Sequence, residues 1–371
     1  MRRLAIAWAF ALPATALAQG AVLQPDPTPV LQPAGLQGLL APRYDRVSGL
    51  SLPVGATLRL ASDRVVIAPA LAYRSRLGVI DPSVTLLVGD AKGVRLEADA
   101  ARSTRTNDAW NYSDLVNSAT TLFAGNDTRN YFRSNGGEGR VFAHVESDGL
   151  VLEPFLGGRY ERVSAISAGG NVWSVTGRHS DERIRRPNPL VDQGAIGSAL
   201  LGASMRDSAG PVLSRARIEV ERSLSTFQGT SPFTQVTLDA RVEFPTFKTQ
   251  RLHVRAHAVG TAGDSVPRAR YAYLGGSGTL PVVELEEFGG AELLFVESRY
   301  IIPIESVILP IIGVPVLTIR HIMGSAGVKS LPSLEQEVGA GIGLSVLRID
   351  ITTDAVRKRG TKLGFGISLN D

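Results

Sequence analysis

The chain has no cysteine in its 371 residues. That excludes disulfides, a thiol nucleophile, zinc–thiolate sites and a lipidated N-terminal cysteine. Past residue 20 it also lacks any charge-free window of helix-spanning length, although hydrophobic residues make up 44% of it. The most apolar run, Tyr300 to Ile319, is interrupted by Glu305, Pro303, Pro310 and Pro315. Interior prolines break helices, so this run reads as two strand ends joined by a hydrophobic connection. No basic run with interleaved aromatics occurs and the formal charge is only +4, which argues against nucleic acid as a partner. If this chain crosses a bilayer, it does so as strands.

The first residues read as an address. Arg2 and Arg3 precede an apolar stretch from Leu4 to Ala18 that ends in the small residues Ala16-Leu17-Ala18. This is the pattern of a secretory signal peptide over 1–18, cleaved near Ala18 to leave Gln19 first. Residues 19–42, with Pro25, Pro27, Pro29 and Pro33, read as a flexible lead-in. Residues 43–371 then form one β domain.

That domain is dominated by alternation with period two. Gln235, Thr237, Asp239, Arg241 and Glu243 share one face, and Val236, Leu238, Ala240, Val242 and Phe244 share the other. Beyond Pro245–Thr249, Arg251, His253, Arg255 and His257 oppose Leu252, Val254, Ala256 and Ala258. Earlier, Arg215, Arg217, Glu219 and Glu221 oppose Ala216, Ile218 and Val220. Successive strand side chains point to opposite sides, so each ribbon is charged on one side and apolar on the other. A soluble β-sandwich also alternates. The membrane reading is favoured by ~9–11-residue strands, by mixed charge on the polar faces, and by long loops alternating with tight turns.

The expected fold is an all-β, antiparallel transmembrane β-barrel. Fourteen strands are counted, with twelve to sixteen compatible: 47–60, 64–76, 82–90, 93–102, 137–147, 150–164, 195–207, 212–226, 233–245, 250–262, 291–303, 316–328, 338–353 and 359–369. The segment 103–136 departs from the pattern. Ser113 is suited to cap a short helix carrying Leu115, Ala119, Leu122 and Phe123 on one side, with Gly125 at its end. Such a helix is either an ordinary loop element or a plug of the lumen.

Four stretches in the last third resemble the barrel of the Omp85 superfamily, the bacterial surface antigen D15 group. Tyr273-Leu274-Gly275-Gly276-Ser277-Gly278-Thr279-Leu280 is similar to the entry of that family's long sixth loop. Glu287 to Ala291 followed by Val296-Glu297-Ser298-Arg299-Tyr300-Ile301-Ile302-Pro303 resembles the strand after it. Gly339 to Leu344 with Leu347-Arg348-Ile349-Asp350 resembles the penultimate strand, and Lys362 to Leu369 fits the terminal assembly signal. Near the start, Tyr44-Asp45-Arg46-Val47-Ser48-Gly49-Leu50 is similar to a first-strand motif and is echoed by Tyr160-Glu161-Arg162-Val163-Ser164.

The resemblance implies an outer-membrane location and a role in protein insertion, export or substrate passage. It also implies outer-membrane lipids and the barrel assembly machinery as partners. Two departures weaken the functional part. Only about 25 residues, Gln19 to Arg43, precede the first strand, too few for the periplasmic POTRA repeats of the family's protein-handling members. The family's sixth-loop Arg-Gly-aromatic motif, whose arginine meets an acidic wall residue, is replaced by Pro281-Val282-Val283, leaving Arg268 or Arg270 as substitutes.

Alternation places His144, His253 and His257 on polar faces, with His253 and His257 opposite Asp239, Arg241 and Glu243. An acid–base or metal site is one reading; a ladder of mutually satisfied charges is the other and is preferred, because Arg251 and Arg255 repel a cation. Ser277 stands in a glycine loop and not in a Gly-x-Ser-x-Gly elbow. The expectation is a protein with no catalytic, cofactor or metal residues. A simple pore and a barrel lipid hydrolase are the alternatives.

Overall fold

The computed structural model describes residues 30–60, 63–166, 173–175, 186–227, 229–307, 313–344, 347–357 and 359–367. The expected signal segment and Ser368-Leu369 of the terminal motif lie outside them. Alternating side chains produce strands almost everywhere else. In chain order these are β1 (Val30–Pro33), β2 (Arg43–Asp45), β3 (Gly49–Leu60), β4 (Val65–Arg74), β5 (Val79–Gly89) and β6 (Val94–Arg105). After the one α-helix of the described residues, α1 (Asp114–Ala124), come β7 (Phe132–Ala143), β8 (Val145–Ser147), β9 (Leu150–Ser164), β10 (Gly194–Asp207) and β11 (Leu213–Ser225). Then follow β12 (Thr234–Pro245), β13 (Arg251–Ala262), β14 (Ala272–Leu274), β15 (Phe288–Gly290), β16 (Glu292–Pro303), β17 (Val316–Gly327), β18 (Glu335–Leu344), β19 (Leu347–Asp354) and β20 (Thr361–Ile367).

The wall is a meander in which every pairing is antiparallel. β3 to β7 pair in sequence, β7 pairs with β9, and β9 to β13 continue. β13 then pairs with β16, and β16 to β20 complete it. β8 extends the edge of β9, and β14 pairs with β15 as a separate ribbon.

Among the described residues the wall holds fifteen long strands, where the sequence suggested fourteen. The stretch 338–353 is two strands, β18 and β19, paired from Glu337↔Asp354 to Leu344↔Leu347. Alternation persists through Gly343-Leu344-Ser345-Val346 without the Asn-Gly or Asp-Gly pair that marks a tight turn, so the reversal was hidden. β7 begins at Phe132 because Gly136, Gly137 and Gly139, which resemble loop residues, sit inside the strand. At Gly136 a Cβ would overlap the Tyr160 carbonyl of β9, so glycine permits the close approach there.

The prolines of the presumed lead-in also misdirect. From Val30 onward the segment is structured: β1 and β2 lie in series along the free edge of β3, bridged by Leu39↔Val54. Proline is tolerated on an edge strand, where it interrupts no central ladder. Residues 30–45 thus act as an interrupted sixteenth strand.

The two faces separate as alternation requires. Val236, Leu238 and Phe244 are exposed on the outside of β12. Inside, Asp239 pairs with His257, Arg241 with Arg255 and Glu243 with His253 across the β12–β13 hairpin. Tyr160, Leu201, Ile319 and Ile351 continue the outer apolar surface, far more than a water-facing sheet exposes. Short turns close one end, at 90–93, 208–212 and 246–250, and the long connections 106–131 and 263–287 lie at the other.

Leu238→Arg is expected to destabilise the lipid-inserted barrel by ~2–4 kcal/mol, the cost of a cation on the outer face at midplane depth. Thr237→Arg, on the inner face, should cost much less. Urea unfolding in lipid vesicles measures both, and equal costs would contradict the assigned faces.

Candidate functional site

The interior is filled by two connections descending from the long-loop end. The connection between β13 and β16 folds back into the barrel. Its β14–β15 ribbon and the following turn place Leu274, Leu280 and Val283 against Leu293 and Phe295 of β16 and Ile322 of β17, all almost fully buried. Gly275, at φ 127, and Gly276, at φ 80, make the reversal that turns this loop inward.

The same loop carries the central ion cluster. A short 3-10 turn over Arg268–Arg270 presents Arg270 to the wall. Its guanidinium donates at 2.6 Å to Glu161 of β9, and at 2.8 and 2.9 Å to the two carboxylate oxygens of Glu221 of β11. Both acceptors are fixed from behind: Ser134 Oγ donates to Glu161 at 2.7 Å and Ser198 Oγ to Glu221 at 2.6 Å. Arg159 adds a second cation, 3.2 Å from Glu221. The backbone of the turn is held as well, since Gln235 Nε2 donates to the Arg270 carbonyl and Asn107 Nδ2 to those of Ala269 and Tyr271. Of the two candidate arginines, then, Arg270 takes the inward role. Arg268 is half exposed and lies 4.0 Å from Asp192.

The second descending element is the connection between β6 and β7. Its Trp110 ring stacks on His257 of β13, with centroids 4.1 Å apart and planes 9° from parallel, and tilts against Phe295. Arg255 donates to the carbonyls of Trp110 and Asn111 and lies over the Trp110 ring. The helix itself forms as its caps dictate: Ser113 Oγ accepts from Val116 N, and Gly125 ends it at φ 64. The apolar side of the helix is not its buried side. Leu115 and Phe123 face outward, while Val116, Asn117 and Thr121 are buried, because Asn117 bonds Asp127, Thr128 and Tyr131. α1 packs on β2 at the long-loop end, where the Tyr44 amide donates to Ser118 Oγ. Trp110, not α1, reaches into the lumen.

The histidines resolve as members of a charge ladder. His257 Nδ1 is 2.7 Å from Asp239, His253 Nε2 is 3.1 Å from Glu243, and His144 lies between Glu153 and Glu146 at 3.2 and 3.5 Å. Ser277 accepts from Asn126 Nδ2, a loop-to-loop contact. Gly341 and Gly339 lie on the inner face of β18, where a Cβ would collide with the Asp350 carboxylate and with Thr352 and Arg320 respectively. Between loop and wall remains a cavity of about 250 Å³ lined by Arg105, Glu161, Glu219, Glu221, His257 and Arg270 among others.

Above the plug, loop residues share a buried cluster. Asp108 accepts from the Asn130 amide at 2.9 Å, and Arg186 donates to Glu286 and to Asn130. Burial pushes the Asp108 carboxyl well above the usual carboxylate range, with Glu286 adding to it, and burial likewise raises Glu286 against the pull of Arg186 and Arg46. Sequence reasoning missed Trp110, Glu161 and Glu221 as partners of the loops. Alternation assigns the two glutamates to the inner face but does not say which loop descends onto them.

For an acid whose folded pKa is raised, the folded state holds more protons than the unfolded one between the two pKa values, so stability falls as pH rises across that interval. Loop amides over 106–131 are therefore expected to exchange hydrogen faster at about pH 7 than at about pH 5, after correction for intrinsic rates. Asp108→Asn should reduce that difference; hydrogen-exchange mass spectrometry reads it, and an unchanged difference would contradict the cluster's role.

No protein-family model matches this sequence, and no curated protein matches it. Solved structures do match in fold. The chain superposes on BamA from Haemophilus ducreyi lacking POTRA domains 1–3 with a TM-score of 0.55 at 12% identity, covering 87% of this chain and 68% of that one. It superposes on CdiB from Escherichia coli with a TM-score of 0.50 at 9% identity, covering 87% and 60%. For CdiB from Acinetobacter baumannii the TM-score is 0.50 at 10% identity, covering 88% and 58%. The chain therefore spans about three fifths of the CdiB proteins it resembles. The likeness is one of fold: over most of its length the chain shares the β-barrel architecture of BamA and CdiB.

Proposed function

We propose that this chain is an integral outer-membrane protein, exported by cleavage of residues 1–18 near Ala18, whose barrel is a closed gate for protein insertion, export or substrate passage. The single observation carrying this reading is the pinning of Arg270 between Glu161 and Glu221. A permanently open pore needs a continuous water path, and here the sixth loop and Trp110 occupy the interior. The fold likeness to BamA and CdiB supports a gated role over a catalytic one, and the motif resemblance brings outer-membrane lipids and the barrel assembly machinery in as partners. Short turns at one end and long loops at the other give the orientation usual for such barrels, short turns toward the periplasm.

Removing one partner of a buried ion cluster leaves the other charges uncompensated, which is strongly unfavourable. Arg270→Ala should therefore release the loop. In planar bilayers the wild-type barrel is expected to be electrically silent apart from rare brief openings, and Arg270→Ala or Glu161→Gln/Glu221→Gln should give sustained currents. Sustained currents through the wild-type protein would overturn the closed-gate reading in favour of a simple pore.

A further inference from the structure

Below the plug the inner wall carries a feature that the gate does not use. Strand register sets Arg206 of β10 directly opposite Arg215 of β11, Arg215 opposite Arg241 of β12, and Arg241 opposite Arg255 of β13. Four arginines thus form one unbroken cross-strand row, with neighbours about 5 Å apart as antiparallel pairs are. Like charges directly opposite one another destabilise a sheet, so the row costs stability unless something neutralises it.

The wall does not supply that neutralisation. Each carboxylate near the row is held by another cation: Glu153 by Arg95 and His144, Glu219 by Arg140 and Arg159, Asp239 by His257, Glu243 by Arg251 and His253, and Glu297 by Arg299. Arg255, at the inner end, is taken up by the Trp110 and Asn111 carbonyls. Arg206, Arg215 and Arg241 form no side-chain hydrogen bond or ion pair among the described residues, and all three are exposed. On the same strands Leu201, Ile218 and Leu238, an odd number of residues away, are exposed on the outer face, so these guanidiniums face the lumen.

The row also climbs. Arg206 stands one residue from the end of β10 at a short turn, Arg215 two residues into β11, and Arg241 and Arg255 four residues from their strand ends. It therefore runs from the short-turn mouth of the lumen toward the underside of the plug.

We propose that Arg206, Arg215 and Arg241 form a binding site for a multivalent phosphate-type anion entering the lumen from the short-turn side. Planar guanidinium forks bind phosphate oxygens in pairs, and three in a row at this spacing fit a short chain of linked phosphates better than a single monovalent ion. The site depends only on the inward register of β10–β12, so it stands or falls apart from the gate.

The test is isothermal titration calorimetry of the full chain, folded in non-ionic detergent at low ionic strength, with inorganic pyrophosphate as the probe. The wild-type protein should bind saturably, and affinity should fall steeply with added sodium chloride. Arg215→Gln/Arg241→Gln should weaken binding at least tenfold, Arg215→Lys/Arg241→Lys should give an intermediate loss because charge remains without the fork, and Arg222→Gln, on the outer face of β11, should leave it unchanged. If the double glutamine variant fails to reach wild-type strand content by circular dichroism, Arg206→Gln and Arg241→Gln singly should each weaken binding several-fold. Absence of saturable binding to the wild type, or equal binding by folded glutamine variants, would overturn the proposal.

Discussion

Everything inside this barrel is organised around one buried cation. Arg270 is carried on a loop, yet its charge is matched by carboxylates that belong to the wall. Ionised groups cannot be left unpaired away from water at acceptable cost, so loop and wall are mutually dependent. If the loop leaves, Glu161 and Glu221 lose their main counter-charge, although Arg159, Ser134 and Ser198 still approach them. If either glutamate is neutralised, the loop loses its anchor. Apolar packing of Leu274 and Leu280 on Phe295 and Ile322 adds non-directional stabilisation, but the ion cluster fixes the register in which that packing occurs.

The same economy of charge runs through the lumen. Water and ions are admitted to the inner face, so arginines and carboxylates there form ladders across neighbouring strands. Glu138, Arg140, Arg159 and Glu219 link β7, β9 and β11 in this way. The outer face carries Leu, Ile, Val and Tyr, as hydrocarbon demands. Residues on the inner face that approach another chain segment are cut down to glycine, as at Gly339 and Gly341, where Arg320 and Asp350 need the space. The row of arginines at the short-turn mouth breaks the pattern of local neutrality, which is the basis of the anion site proposed there.

How much of this could be read from the residues alone follows from range. Alternation is a local property, so the faces of β11, β12 and β13 were legible, as was the nearness of His253 and His257 to Asp239, Arg241 and Glu243 across a hairpin. The caps of α1 were legible for the same reason, Ser113 and Gly125 each acting within one turn. The burial of its Asn117 face was not, because that depends on Asp127 and Tyr131 folding back over it. The β18–β19 reversal was hidden by unbroken alternation, and the edge segment from Val30 was hidden by prolines that an edge tolerates. The site itself was half visible. Arg270 was in view as a substitute for the missing motif, but its partners lie 109 and 49 residues away, and only the folded wall, with β9 and β11 flanking β10, brings them together.

The dependence of loop on wall is measured most directly by a double-mutant cycle between Arg270 and Glu221, using Arg270→Met, Glu221→Gln and both together in reversible unfolding from lipid vesicles. Coupled groups in one ion network should show an interaction energy of about 1–3 kcal/mol, with the second change costing much less once the first is made. Additive costs, within about 0.3–0.5 kcal/mol, would mean that Arg270 and Glu221 do not hold one another and that the loop is kept in the lumen by something else.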